Sequence, residues 1–209
     1  MNPLEFIKKH KVISVIRAEN EALALSFAEA CIAGGLRLVE VTFSFPGAED
    51  VIRSLSEREG ILVGAGTVLD IDMADRAREA GARFLVSPHT DEALIHFAKA
   101  NDMAVIQGAF TSSEIVRAWK LGADMVKIFP VSAVGGPSYV KAMKEPLPQI
   151  EIMTTGGVGL DNLADFLHAG ASAVGLSTAL TGKGGVIDPE TITSNARLFA
   201  EKLEEISRA

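Results

Sequence analysis

The feature that most constrains this chain is a regular series of helix stops, each followed by a short apolar run. Helices tend to end in Gly or Asn. Such residues stand at Gly35, Gly60, Gly81, Asn101, Gly122 and Gly170, at successive intervals of 25, 21, 20, 21 and 48 residues. Each stop precedes a strand candidate: LRLVEVTF, ILVGAG, ARFLVSP, DMAVIQG, ADMVKIFP and ASAVGLS. VISVIR near the start and IEIMTTGG inside the long interval raise the number to eight. Amphipathic stretches such as DMADRAREAG and DEALIHFAKAN lie between them. Alternating strand and helix at this period implies a parallel sheet. Eight units favour a closed (β/α)8 TIM barrel over an open doubly wound sheet.

At 209 residues, one such barrel accounts for the chain, so a single domain over residues 1–209 is expected. The segment MNPLEFIKKHK reads as a short N-terminal helix covering the bottom of the barrel. The leucine-rich pattern of solenoids is absent. GAGTVLD and GVGLDNL are glycine-rich, but neither is a G-x-G-x-x-G turn opening a helix after the first strand, which disfavours a dinucleotide site.

Lys and Arg form no stripe, and the net charge is −7, which argues against nucleic acid as a partner. A small anion needs only a local positive pocket. No run of 18 apolar residues marks a membrane span. The lone Cys31, in EACIAGG, reads as a core residue of a protein in a reducing compartment, so a cytoplasmic location is expected.

In such a barrel the chemistry sits at the C-terminal ends of the strands. The polar residues there are Arg17, Glu40, Thr42, Thr67, Ser87, His89, Gln107, Lys127, Thr155 and Ser177. Two are out of place: Lys127 in DMVKIFP and Glu40 in RLVEVTF are single charges among branched apolar residues. A buried charge must be paired, led out to water or neutralised. One reading is a structural ion pair. The other is covalent carbonyl chemistry, in which burial favours a neutral, nucleophilic amine and a nearby carboxylate shuttles protons.

TTGGVGLDN after strand seven exposes the N–H groups of Gly156 and Gly157, with Asp161 as the cap of the next helix. GLSTALTGKGG after strand eight puts Ser177 and Thr178 at a helix start. Loops in these places commonly bind phosphate, although the glycines could serve only tight turns. Thr67 in GAGT could bind a carboxylate or form a turn. His89 reads as a local hydrogen-bonder. No histidine or acid spacing marks a metal site, and no cofactor is expected.

VISVIR, LVEVTF, VGAGTV, FLVSPH, VKIFP and TTGGV occur in an order and spacing that resembles the 2-keto-3-deoxy-6-phosphogluconate (KDPG) and 4-hydroxy-2-oxoglutarate (KHG) aldolases, over roughly residues 10 to 182. The resemblance implies a metal-independent class I aldolase on a (β/α)8 barrel, acting on a keto acid with pyruvate as product, and assembled as a homotrimer. It implies Lys127 as the Schiff-base lysine and Glu40 as the general acid/base. It further implies Thr67 and Arg17 on the substrate carboxylate and Phe129 beside the lysine. Thr155, Gly156, Gly157, Leu176 and Ser177 would line the substrate and phosphate site. Ser44 stands where many members have an arginine, and Gln107 where many have proline, adding a donor and an acceptor near the pocket. The sequence leaves two rivals: a phosphate-binding barrel isomerase or synthase, and a barrel that binds a ligand without turnover.

Overall fold

The computed structural model describes residues 2–182 and 188–208. Eight strands form one closed parallel barrel in sequence order. They are β1 (Val12–Ile16), β2 (Leu38–Thr42), β3 (Leu62–Gly66), β4 (Phe84–Val86), β5 (Ala104–Ala109), β6 (Met125–Ile128), β7 (Ile152–Thr155) and β8 (Ala173–Leu176). Helix α1 (Pro3–His10) precedes them. The strands alternate with α2 (Glu21–Ala33), α3 (Ala48–Ser56), α4 (Ile71–Glu79), α5 (Glu92–Ala100), α6 (Ser112–Lys120), α7 (Pro137–Lys144) and α8 (Leu163–His168). Beyond β8 lie α9 (Thr178–Thr181) and α10 (Pro189–Arg208).

The two helix ends are built differently, which gives the barrel its polarity. At the end where strands run into helices, short polar side chains cap the helices. Asp70 accepts from the Met73 amide of α4 and Asp91 from the Leu94 amide of α5. Thr111 and Glu114 form a reciprocal capping box on α6. At the other end, Gly35, Gly81, Gly122 and Gly170 take a left-handed conformation. The following amides of Leu36, Ala82, Ala123 and Ala171 reach back to carbonyls in the last helical turn. The stop expected at Asn101 falls one residue later. Asn101 keeps a negative φ, and Asp102 takes the left-handed turn at φ 53°. Its short side chain tolerates that conformation.

Alternation along each strand separates two cores. One lies between barrel and helices and includes Val39, Val41, Val126, Ile128 and Cys31. The other fills the barrel interior with Ile13, Leu38, Phe84, Ile106, Met125 and Met153. Ile7 of α1 is fully buried in the interior cluster, so α1 closes the bottom as the sequence suggested. Burying a side chain of this size contributes about 1.5–3 kcal/mol. Among the described residues, no helix is long and apolar enough to cross a membrane.

Candidate active site

β2 and β6 are four strands apart in an eight-stranded barrel, so they face each other across its axis. Register and alternation place Glu40, Val86, Lys127 and Gly175, from β2, β4, β6 and β8, in one interior layer. The space beside Gly175 is taken by Thr155, Met153 and Val15, and the two long side chains from opposite walls meet across the layer. Lys127 Nζ lies 4.0 Å from Glu40 Oε1. The residues are 7% and 1% exposed.

Neither Glu40 oxygen has a hydrogen-bond partner among the described residues. Burial pushes the Glu40 carboxyl up from its ordinary range, and the charges of Lys127 and Arg17 oppose that rise without cancelling it. The carboxyl group leans over Gly66 of β3, where a Cβ would collide with Oε1. A glycine inside a strand is a recognised signal of such close approach, and GAG in the sequence carried it without revealing what approaches.

Towards the mouth, the next layer holds Val15, Gly66, Gly108 and Thr155. Thr155 Oγ1 is buried and has no hydrogen-bond partner among the described residues. Phe129 forms a wall beside the lysine, with Nζ 5.3 Å from its ring centroid and 45% of the residue exposed. Its peptide bond to Pro130 is cis. Arg17 is exposed just beyond β1. Thr67, half-buried beyond β3, has φ 57°, a strained value for a branched residue.

Gly156 and Gly157 follow β7 at φ 83° and 103°. Their loop is pinned from both sides. Ser132 donates its amide to the Gly156 carbonyl at 3.0 Å. The Asn162 side chain donates to the Gly157 carbonyl at 3.0 Å and accepts from the Gly159 amide at 2.9 Å. The N-cap position of α8 is Asn162 in place of Asp161, and its side chain caps no helix amide. Ser132 and Asn162 were not singled out in the sequence, because their partners are backbone groups of a turn. Ser177 stands at the N-terminus of α9, where its carbonyl accepts from Leu180 and Thr181. The glycine-rich continuation of that loop, residues 183–187, lies outside the described residues.

Two expectations change. Gln107 faces away from the barrel interior, between the inward-facing Ile106 and Gly108. Its Oε1 accepts from the Asp91 amide at the start of α5, 2.7 Å away. It braces a loop and adds nothing to the pocket. The Leu176 side chain packs in the outer core, so only its backbone is available to the site. Ser44 is exposed and bonds Thr42 Oγ1 at 2.7 Å. His89 bonds Ser87 at 2.8 Å, the local role expected for it.

A parallel barrel with a lysine amine and a carboxyl group buried together beneath its mouth has the architecture of an enzyme that processes carbonyl compounds. The family model "KDPG and KHG aldolase" matches residues 4–194. The 2-dehydro-3-deoxy-phosphogluconate aldolase of Pseudomonas aeruginosa is 39% identical over 161 residues, 77% of this chain and 73% of that protein. The 2-dehydro-3-deoxy-6-phosphogalactonate aldolase of Escherichia coli is 33% identical over 205 residues, 97% of this chain and 98% of that protein. A KDPG aldolase from Legionella pneumophila, solved with pyruvate captured as a covalent carbinolamine intermediate, has a TM-score of 0.80 at 29% identity, covering 99% of this chain and 98% of that one. The chain belongs to the KDPG and KHG aldolase family.

Proposed function

We propose that residues 1–209 act as one barrel enzyme that reversibly cleaves a 2-keto-4-hydroxy acid into pyruvate and an aldehyde through a Schiff base on Lys127. The observation that carries this reading is the burial of the Lys127 amine 4.0 Å from the Glu40 carboxyl. Charged carboxylate with ammonium, and neutral acid with neutral amine, differ only by one proton moved between the two groups. Burial penalises the charged carboxylate of Glu40, and the unprotonated amine is the form of a lysine that attacks a carbonyl. Neutral Lys127 attacks the C2 ketone, and loss of water gives an iminium ion. Glu40, ionised at this stage, takes the proton of the C4 hydroxyl. The C3–C4 electron pair flows into the iminium, the aldehyde leaves, and an enamine remains. Glu40 returns the proton to C3, and water hydrolyses the imine to pyruvate and free Lys127.

Arg17 and Thr67 are suited to the substrate carboxylate, and Thr155 Oγ1 to the polar groups near C2. The N–H groups of Gly156, Gly157 and Ser177 are suited to a terminal phosphate, which makes KDPG the first candidate substrate, with glyceraldehyde 3-phosphate as the aldehyde. 2-Keto-3-deoxy-6-phosphogalactonate is the second, favoured by the near full-length match to the E. coli enzyme. The unphosphorylated 4-hydroxy-2-oxoglutarate is a further alternative. A homotrimer, carried by the family resemblance, is the proposed assembly, and light scattering measures it.

The deciding experiment is borohydride reduction with pyruvate, followed by intact mass and peptide mapping. A reduced adduct on Lys127 is expected. A folded protein without an adduct overturns the mechanism and favours the isomerase or ligand-binding readings.

A further inference from the structure

At the end of the barrel opposite its mouth, a cleft of about 480 Å³ lies between the end of α1, the residues leading into β2, and α10. Its size falls within the range of small-molecule sites, roughly 300–1,000 Å³. Its lining is divided by chemistry. Leu36, Ala200 and Leu203 supply an apolar side. Lys9, Arg37 and Arg208 supply cations, with His10 among them. Among the described residues, the only carboxylate lining it is Glu204, which is paired with Arg208 at 2.9 Å.

Among the described residues, Lys9 and Arg37 form no ion pair, although the chain carries a net charge of −7. Half of the ten arginines sit beside acids, namely Arg53, Arg58, Arg76, Arg78 and Arg208; what sets Arg37 apart is that it faces the same cleft as Lys9. The C-terminal dipole of α1 accounts for cations at Lys9 and His10. It does not account for Arg37, which comes from another element and faces the same cleft. The gathered charges act on their neighbour: His10, already disfavoured as a cation by burial, is pushed further down by Lys9 and Arg37.

We propose that this cleft is a second ligand site, distant from the aldolase centre, for an amphipathic phosphate monoester of the nucleoside monophosphate class. The phosphate would meet Lys9 and Arg37, and the apolar body would lie against Leu36 and Leu203. Charge-assisted bonds from two cations favour a phosphate over a neutral ligand. The apolar side favours a ligand with a body over bare phosphate. The inference stands on residues that take no part in the aldol chemistry and does not depend on that reading.

Calorimetry on the full chain at low ionic strength, with adenosine monophosphate, adenosine and inorganic phosphate as separate probes, tests it. Adenosine monophosphate is expected to bind at least about tenfold more tightly than either fragment. The Lys9→Gln/Arg37→Gln variant is expected to weaken that binding by about tenfold or more while leaving aldol cleavage unchanged. Both residues are exposed, so the variant is expected to fold. No binding by wild type, equal binding by all three probes, or unchanged binding in the double variant overturns the proposal. The last of these outcomes would assign the nucleotide to the phosphate loops at the mouth.

Discussion

Replacing Lys127 by methionine deprives Glu40 of its one close cation. Burial already raises the proton affinity of Glu40, and Lys127 is the larger of the two charges opposing that rise. In the variant only Arg17, exposed at the mouth, still opposes it. The folded-state value therefore lies above the ordinary 4.5. For an acid shifted in this direction the native state carries no penalty at low pH. The penalty grows as pH rises from the unfolded value to the folded one, then stays constant. Inside that window each pH unit costs about 1.4 kcal/mol. Removing one partner of a buried pair costs about 3–5 kcal/mol in general, equivalent to roughly two to four pH units of that slope. The assay is urea unfolding of Lys127→Met and of Lys127→Met/Glu40→Gln at fixed protein concentration, at steps between about pH 5 and pH 8. Relative to the double variant, the single variant is expected to lose stability with rising pH at up to that slope. Parallel profiles would refute the reasoning, because they would mean that Glu40 ionises inside the barrel without cost.

Glu40→Gln is expected to keep forming a trappable pyruvate adduct while cleavage falls about 10²–10⁴-fold and exchange at pyruvate C3 nearly stops; normal exchange removes Glu40 from the proton path. At Gly157 a Cβ would lie 2.5 Å from that of Ser132, on a backbone at φ 103°. Gly157→Ala is therefore expected to raise KM for a phosphorylated keto acid by about tenfold or more and to spare 4-hydroxy-2-oxoglutarate. An equal effect on both substrates would detach this loop from phosphate binding. Burial pushes the Cys31 thiol up to about 12, so thiol reagents near neutral pH should label it only as the protein unfolds; rapid labelling of the native protein contradicts that burial.

The sequence determined what local rules encode. The eight strands and the glycine stops were legible because period and propensity act within a few residues. Lys127 and Glu40 stood out because each interrupts an otherwise apolar strand. The tertiary structure decided which inserted residues face inward and which of them meet. A barrel strand is buried on both faces, so its two faces are almost equally apolar and the phase of alternation cannot be read from composition. That is why Gln107 was placed near the pocket but braces α5, and why Leu176 offers the site only its backbone. Closure of the sheet brings β2 and β6 to opposite walls of one layer, and strand tilt sets the heights at which their side chains arrive. Only then does a glycine at position 66 acquire a role, as the space into which the Glu40 carboxyl fits. The charges were visible in the sequence; their 4.0 Å separation comes from barrel closure.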